Sequence, residues 1–224
     1  MKPIILNTLL LLCLVFQRSG FAQSAQKTID GSINISLKIG KNPSVYFEIL
    51  EIEPVNLFMG LDANNKNIPP IQLELKIMKN HTEYTTFLWY NNDSTNSPKT
   101  NFPKAFNRYA FSLRTNTEDV VLAIEKLDFG APFFIDLGQS AIVENITILF
   151  ETCTGEWSED LNGNQIDVFN SYSVSLSNEN EQHSFSFTSL NTSANDKLVI
   201  PWKNYKLRVL ADSEKALKVL VLDN

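Results

Sequence analysis

Apolar residues recur at every second position along nearly the whole chain after Lys27, and that period leaves few folds open. Ile29, Ile33, Ile35, Leu37 and Ile39 share one phase, with Asn34, Ser36 and Lys38 in the other. Ile71, Leu73, Leu75 and Ile77 alternate with Gln72, Glu74, Lys76 and Met78. The same reading holds over 142–151, at Tyr172, Val174 and Leu176, and at Tyr205, Leu207 and Val209. Successive side chains of a strand point to opposite faces, so this pattern buries one face and wets the other, as antiparallel sheets do. The runs 45–53, 84–90 and 120–127 are apolar in both phases and read as central strands or the lining of a groove. Between the runs lie turn formers such as Asn42-Pro43, Asn64-Asn65, Pro69-Pro70 and Asn162-Gly163. The expectation is an all-β fold, an antiparallel β-sandwich or jelly roll of about a dozen short strands. Only Ala211–Leu217 offers a helical turn, and it reads equally as a loop.

The first residues belong to a different class. Met1-Lys2 gives a basic start, Ile4 to Phe16 is almost wholly apolar, and Gly20 and Ala22 occupy the positions a signal peptidase requires. Residues 1–22 are expected to be a cleaved signal peptide, too short and wrongly flanked for a membrane span. The mature chain, 23–224, is then a single β-sandwich domain bound for the extracellular space, or for the periplasm of a Gram-negative cell. An alternative boundary near Asn116 would give two small β domains. The longest irregular stretch, 91–105, reads as a loop within one domain, since its flanks look like neighbouring strands.

Charge and cysteine usage remove several function classes. Losing Lys2 and Arg18 with the leader moves the formal charge from -6 to -8, and no basic run remains. Nucleic acid and anionic membrane surfaces are therefore excluded as expected partners. Of two cysteines, cleavage removes Cys13, so no disulfide closes within the mature chain and its stability must come from the core. Cys153, with no histidine nearby in sequence, reads as an incidental thiol. Asn34, Asn80, Asn92, Asn145 and Asn191 open N-x-S/T sequons, which matter only in a eukaryotic secretory route.

Signals for catalysis are sparse. His81 and His183 lie far apart, neither stands in a nucleophile pattern, and no zinc spacing or phosphate-cradling glycine loop is present. Glu48, Glu51 and Glu53 match no acid–base pairing and read as solvent-face carboxylates. The sharpest local motif is Asp160-Leu161-Asn162-Gly163-Asn164-Gln165-Ile166-Asp167, preceded by Glu156 and Glu159. Asp160, Asn162, Asn164 and Asp167 place oxygens as calcium loops do, but Gln165 and Ser171 stand where such loops have Gly and Glu. The competing reading is a hairpin with a type I′ turn at Asn162-Gly163. Trp157 beside this loop, with Trp89, Tyr90 and Trp202, points to carbohydrate binding, because an aromatic face stacks on the apolar side of a sugar ring. Trp157 sits in a polar stretch and reads as the exposed ring, whereas Trp89 follows Phe87 in one phase and reads as core.

Phe133-Phe134-Ile135-Asp136-Leu137-Gly138, followed by Ile142, Val143, Ile146 and Ile148, resembles the aromatic-x-[IV]-D-L-G strand of discoidin-like, galactose-binding jelly rolls. Tyr172–Ser177 and Tyr205–Val209 are similar to later strands of that family. The likeness spans about Val120 to Asp223, with Phe133 or Phe134 at the family's usual Trp. It implies a non-catalytic module that binds glycan or lipid through its loops. Three function classes follow: a secreted binding or adhesion module for glycans, a structural subunit of an extracellular assembly, and a glycoside hydrolase with a carboxylate pair. The first leads.

Overall fold

The computed structural model describes residues 26–27, 32–40, 42–61, 67–90, 103–115, 119–194 and 198–223. The leader, its cut site, residue 116 and most of the 91–105 stretch lie outside these residues. In chain order the strands are β1 (Gln26–Lys27), β2 (Ile33–Leu37), β3 (Val45–Phe47), β4 (Leu50–Leu61), β5 (Asn67–Lys79) and β6 (Thr82–Tyr90). Next come β7 (Lys104–Phe106), β8 (Tyr109–Thr115), β9 (Val120–Lys126), β10 (Phe133–Asp136), β11 (Ser140–Val143) and β12 (Ile146–Glu159). The chain ends with β13 (Gln165–Ser177), β14 (Gln182–Thr188), a short helix α1 (Ser189–Ala194), β15 (Leu198–Trp202), β16 (Tyr205–Asp212) and β17 (Ala216–Asp223).

The expected all-β fold is what the chain forms, in three sheets. A long sheet runs β1-β2-β9-β8-β7-β10-β17-β16-β15, and two four-stranded sheets run β3-β4-β5-β6 and β11-β12-β13-β14. All strand pairs are antiparallel except β7 with β10. No helix among the described residues is long and apolar enough to cross a membrane.

Burial shows how the sheets stack. Ile33, Ile35, Phe111, Leu113, Leu122 and Ile124 of the long sheet pack against Ile52, Leu57, Leu73, Leu75 and Leu88 of the first small sheet. Phe133, Ile135, Leu207, Val209 and Val219 pack against Ala141, Ile148, Phe150, Tyr172 and Val174 of the second. Paired residues in neighbouring strands share a face. Phe134 registers with Lys104, and Lys104 with Phe111, which faces the first core. Phe133 and Ile135 therefore point to the opposite side. The two small sheets cover opposite faces of opposite halves of one continuous long sheet. Ala105 and Ala110 turn toward the second core while Tyr109 and Phe111 of the same region turn toward the first. β8 and β9 pair from Tyr109↔Lys126 to Thr115↔Val120 within one sheet, and the two cores adjoin at β7–β10.

The described residues form seventeen strands, more than the dozen expected; two of the extra ones arise because runs that read as single strands are hairpins. Glu48 and Ile49 separate β3 from β4, and Glu144 and Asn145 separate β11 from β12. Across a two-residue turn the paired residues Phe47 and Leu50 lie three apart, so the alternation changes phase. That shift is why 45–53 looks apolar on both faces. The run 211–217 is neither helix nor simple loop: β16 and β17 enter it from both sides, closed by Ser213 N–H to the Ala216 carbonyl at 3.0 Å. The short helix α1 gave no sequence signal. It is tied down by Thr192, which donates to Asp212 at 2.5 Å, beside Tyr172, which donates to the same carboxylate at 2.7 Å.

Candidate functional site

The outer face of the first small sheet is built by the residues that alternate with its core. Register places Phe58, Gln72 and Trp89 in one row across β4, β5 and β6, and Asn56, Glu74 and Phe87 in the row beside it. Phe58 is 55 % exposed, Trp89 43 % and Phe87 42 %. Neighbouring strands lie ~4.8 Å apart, so Phe58 and Trp89 stand about 10 Å apart with an amide between them, and Phe87 sits about 7 Å along β6 from Trp89. Asn56 donates to Glu74 at 2.8 Å, which holds the carboxylate beside the rings. Further along the same face, Lys76 pairs with Glu83 at 3.3 Å. Three large rings on open sheet surface, interleaved with amide and carboxylate groups, form a patch of the kind that marks binding sites.

The four aromatic residues expected to bind ligand do not converge. Trp89 is on this face and open to solvent, although its phase with Phe87 suggested core. Tyr90 points the other way and packs half-buried against the first core. Trp202 is only 8 % exposed within the second core, so it offers no stacking surface. Trp157 is 52 % exposed on a different sheet, at the register shift between Glu156 and Ser158. Phe58 and Phe87 complete the platform. Neither stands out in the sequence, because only the pairing of three strands brings them beside Trp89.

The Asp160 segment forms the tip of the β12–β13 hairpin. The Asp160 carboxylate accepts the backbone N–H groups of Asn162 (2.8 Å) and Asn164 (2.9 Å) and the Asn164 side-chain amide (2.9 Å). These donors, Asn164 first, hold its carboxyl below the ordinary carboxylate value. Gly163 N–H closes on the Asp160 carbonyl at 3.0 Å, and Gly163 alone in the turn has positive φ, at 79°. A type I′ turn needs positive φ at Asn162 too, so the hairpin stands but with a longer, Asp-capped loop. Of the calcium set, Asp160, Asn162 and Asn164 lie in this loop and Asp167 lies on β13. Among the described residues no group of three or more His, Cys, Asp and Glu is arranged to hold a metal ion. Both Asp160 oxygens face N–H donors of the turn itself.

Where the sandwiches meet, Asp136 gathers a polar cluster that the sequence does not reveal. Tyr84 donates its hydroxyl to Asp136, Thr86 does so at 3.0 Å, and Lys104 Nζ lies 2.9 Å from Asp136 and 2.9 Å from Thr86. Burial first, then the Asp136 charge, raises the Tyr84 pKa strongly. Tyr84 stacks on Phe106 with centroids 5.1 Å apart. Above this cluster lies a cleft of about 390 Å³ lined by both halves, including Asn80, Thr82, Tyr84, Asn107, Gln139 and Ser140. His81 occupies the neighbouring turn, and His183 lies exposed on β14 against Phe185. Glu51 and Glu53 are on the outer face, whereas Glu48 accepts the Tyr109 hydroxyl. The chain matches no protein-family model and no curated protein sequence.

Proposed function

We propose that this protein is a secreted, non-catalytic binding module that holds a glycan on the outer face of its first small sheet. The observation that supports this most is the row Phe58–Gln72–Trp89, with Phe87 alongside. Rings stack on the apolar faces of sugars, while Gln72, Glu74 and Asn56 offer donors and acceptors to hydroxyls between them. The rigid sheet sets the ring spacing before ligand arrives, so little ordering cost falls on binding. The likeness of 120–223 to discoidin-like modules agrees with a binding role, though the platform lies outside that stretch. The test is calorimetric titration with soluble oligosaccharides chosen from a glycan array. Trp89→Ala or Phe58→Ala should weaken binding by about 1–2 kcal/mol, roughly 5- to 30-fold, and Trp157→Ala should leave it unchanged. Retention of full affinity in both platform variants would refute the assignment.

A further inference from the structure

We infer that the cleft at the seam of the two sandwiches is a second subsite, one that takes the carboxylate of an acidic sugar in the same glycan. This rests on the glycan reading and extends it to a ligand class. Two concavities, each about 390 Å³, adjoin at the seam and share Lys79 and Asn107. Their walls come from turns of both halves: 48–49 and 79–82 from the first sandwich, 107–108 from the long sheet, and 138–140 from the second. The charges there are unequal in their commitments. Glu48 accepts the Tyr109 hydroxyl, and Glu83 is paired with Lys76. Among the described residues, Lys79 and Arg108 are in no ion pair. Both line the second concavity, in a chain whose formal charge is -6. An anionic group entering here meets two cations against one carboxylate, Glu48, which keeps its charge while it accepts the Tyr109 hydroxyl; the lining stays net positive, and a guanidinium matches a carboxylate in plane and donor spacing.

Three further features fit this occupant. Asn107, which lines both concavities, uses its Oδ1 to accept the Arg108 backbone N–H at 3.0 Å. Thr82, Ser140, Asn80 and Gln139 supply hydroxyls and amides suited to a polyhydroxylated ring. Glu48, Asn80, His81 and Asn107 all have positive φ, and such backbone persists where the surrounding structure holds it in place. The cleft opens at the β5–β6 turn, beyond the end of the strand that carries Phe87 and Trp89. Glu83, Thr85, Phe87 and Trp89 share the outer phase of β6, and the span from Thr82 to Trp89 is about 23 Å at ~3.3 Å per residue. Thr82 and Tyr84, which line the cleft, stand in the opposite phase, so a glycan of several units laid along β6 from Trp89 enters the seam by rounding the β5–β6 turn.

The experiment compares neutral and uronate-containing oligosaccharides of equal length against the parent, Trp89→Ala, and the double variant Lys79→Gln/Arg108→Gln. The acidic ligand should bind the parent at least tenfold tighter than the neutral one, and the preference should shrink as salt rises. The double variant should lose that preference while keeping its affinity for the neutral glycan, and Lys79→Arg should retain it. Near-ultraviolet circular dichroism identical to the parent shows that the double variant is folded. If the parent binds both ligands equally, or the double variant keeps the preference, the subsite is overturned and the platform stands. If acidic ligand binds through Lys79 and Arg108 but Trp89→Ala changes nothing, the subsite stands and the platform falls. Binding of neither ligand overturns both.

Discussion

Tyr84, Tyr109 and Tyr172 each donate to a carboxylate, of Asp136, Glu48 and Asp212 in turn. Each pair brings a phenol from inside a core to an acid at its margin, so the ring is buried and its hydroxyl satisfied. The Tyr109 pKa is pushed up to about 12, by burial first and then by the Glu48 hydrogen bond and charge. The folded pKa is raised, so this stabilisation is complete below the ordinary value of 10.0 and is lost as pH rises through about 12. Unfolding by urea should therefore become easier between pH 10 and 12, and Tyr109→Phe should flatten that decline. Tyr84→Phe removes one donor from a partly buried carboxylate and should cost about 1–3 kcal/mol, measured by the shift in urea midpoint. Cys153 belongs to the same scale. Burial, followed by the charges of Glu214 and Asp212, pushes its thiol up, so alkylation should be slow at neutral pH and quicken in alkali. Cys153→Ser should change stability by about 1 kcal/mol, because the thiol is free and only partly buried.

At the scale of elements, the β12–β13 hairpin shows where local chemistry and tertiary packing part company. Its base is core: Ile148, Phe150, Tyr172 and Val174 are all buried. Its outer half, from Thr154 to Val168, faces solvent on nearly every residue, with Trp157, Leu161, Ile166 and Val168 exposed. This arm depends on its own ladder and on the Asp160 cap. Asp160→Ala should leave global unfolding unchanged and weaken hydrogen-exchange protection of the arm amides. Because the Asp160 pKa is lowered in the fold, its contribution is present at neutral pH and fades as acid protonates it. Thermal melts with millimolar calcium and with chelator decide the calcium reading: a higher midpoint with calcium that is lost in Asp160→Ala supports it, and coincident melts leave a plain Asp-capped turn. The hairpin was legible in Asn162-Gly163; the loop length was not, because turn type depends on backbone angles that the flanking strands impose.

At the scale of the whole molecule, two cores share one sheet through a three-residue strand. Ala105 on β7 faces the second core, while Lys104 and Phe106 on the same strand face the first. Backbone bonds cross the seam from Phe134 N–H to the Pro103 carbonyl (2.8 Å) and from Asn107 N–H to the Ser140 carbonyl (3.0 Å). A sheet that feeds both cores should unfold with them. Phe111→Ala in the first core and Phe150→Ala in the second each create a cavity and should cost about 3–5 kcal/mol. Both should lower a single transition, seen at one midpoint by circular dichroism and by tryptophan fluorescence. Separate midpoints for the two signals would mean that the seam does not couple the halves.

What the chain determined by itself is whatever depends on the strand period alone. Ile71, Leu73, Leu75 and Ile77 are all fully buried, as their alternation required, because a side-chain period of two leaves a strand no other way to hide them. The all-β class follows from the same local constraint, but turn positions do so only in part: Pro69-Pro70, read as a turn, lies inside β5, and the turns at 48–49 and 144–145 fall within runs that read as single strands. Tertiary structure decided everything that depends on register between strands distant in sequence. Phe58, Gln72 and Trp89 form a row only because β4, β5 and β6 pair in one register, and a slip of one residue would bury the rings. Asp136 meets Tyr84 only because a parallel contact joins β7 to β10 and brings the second half against the first. Period is written along one strand, whereas register is a free-energy choice among many strands.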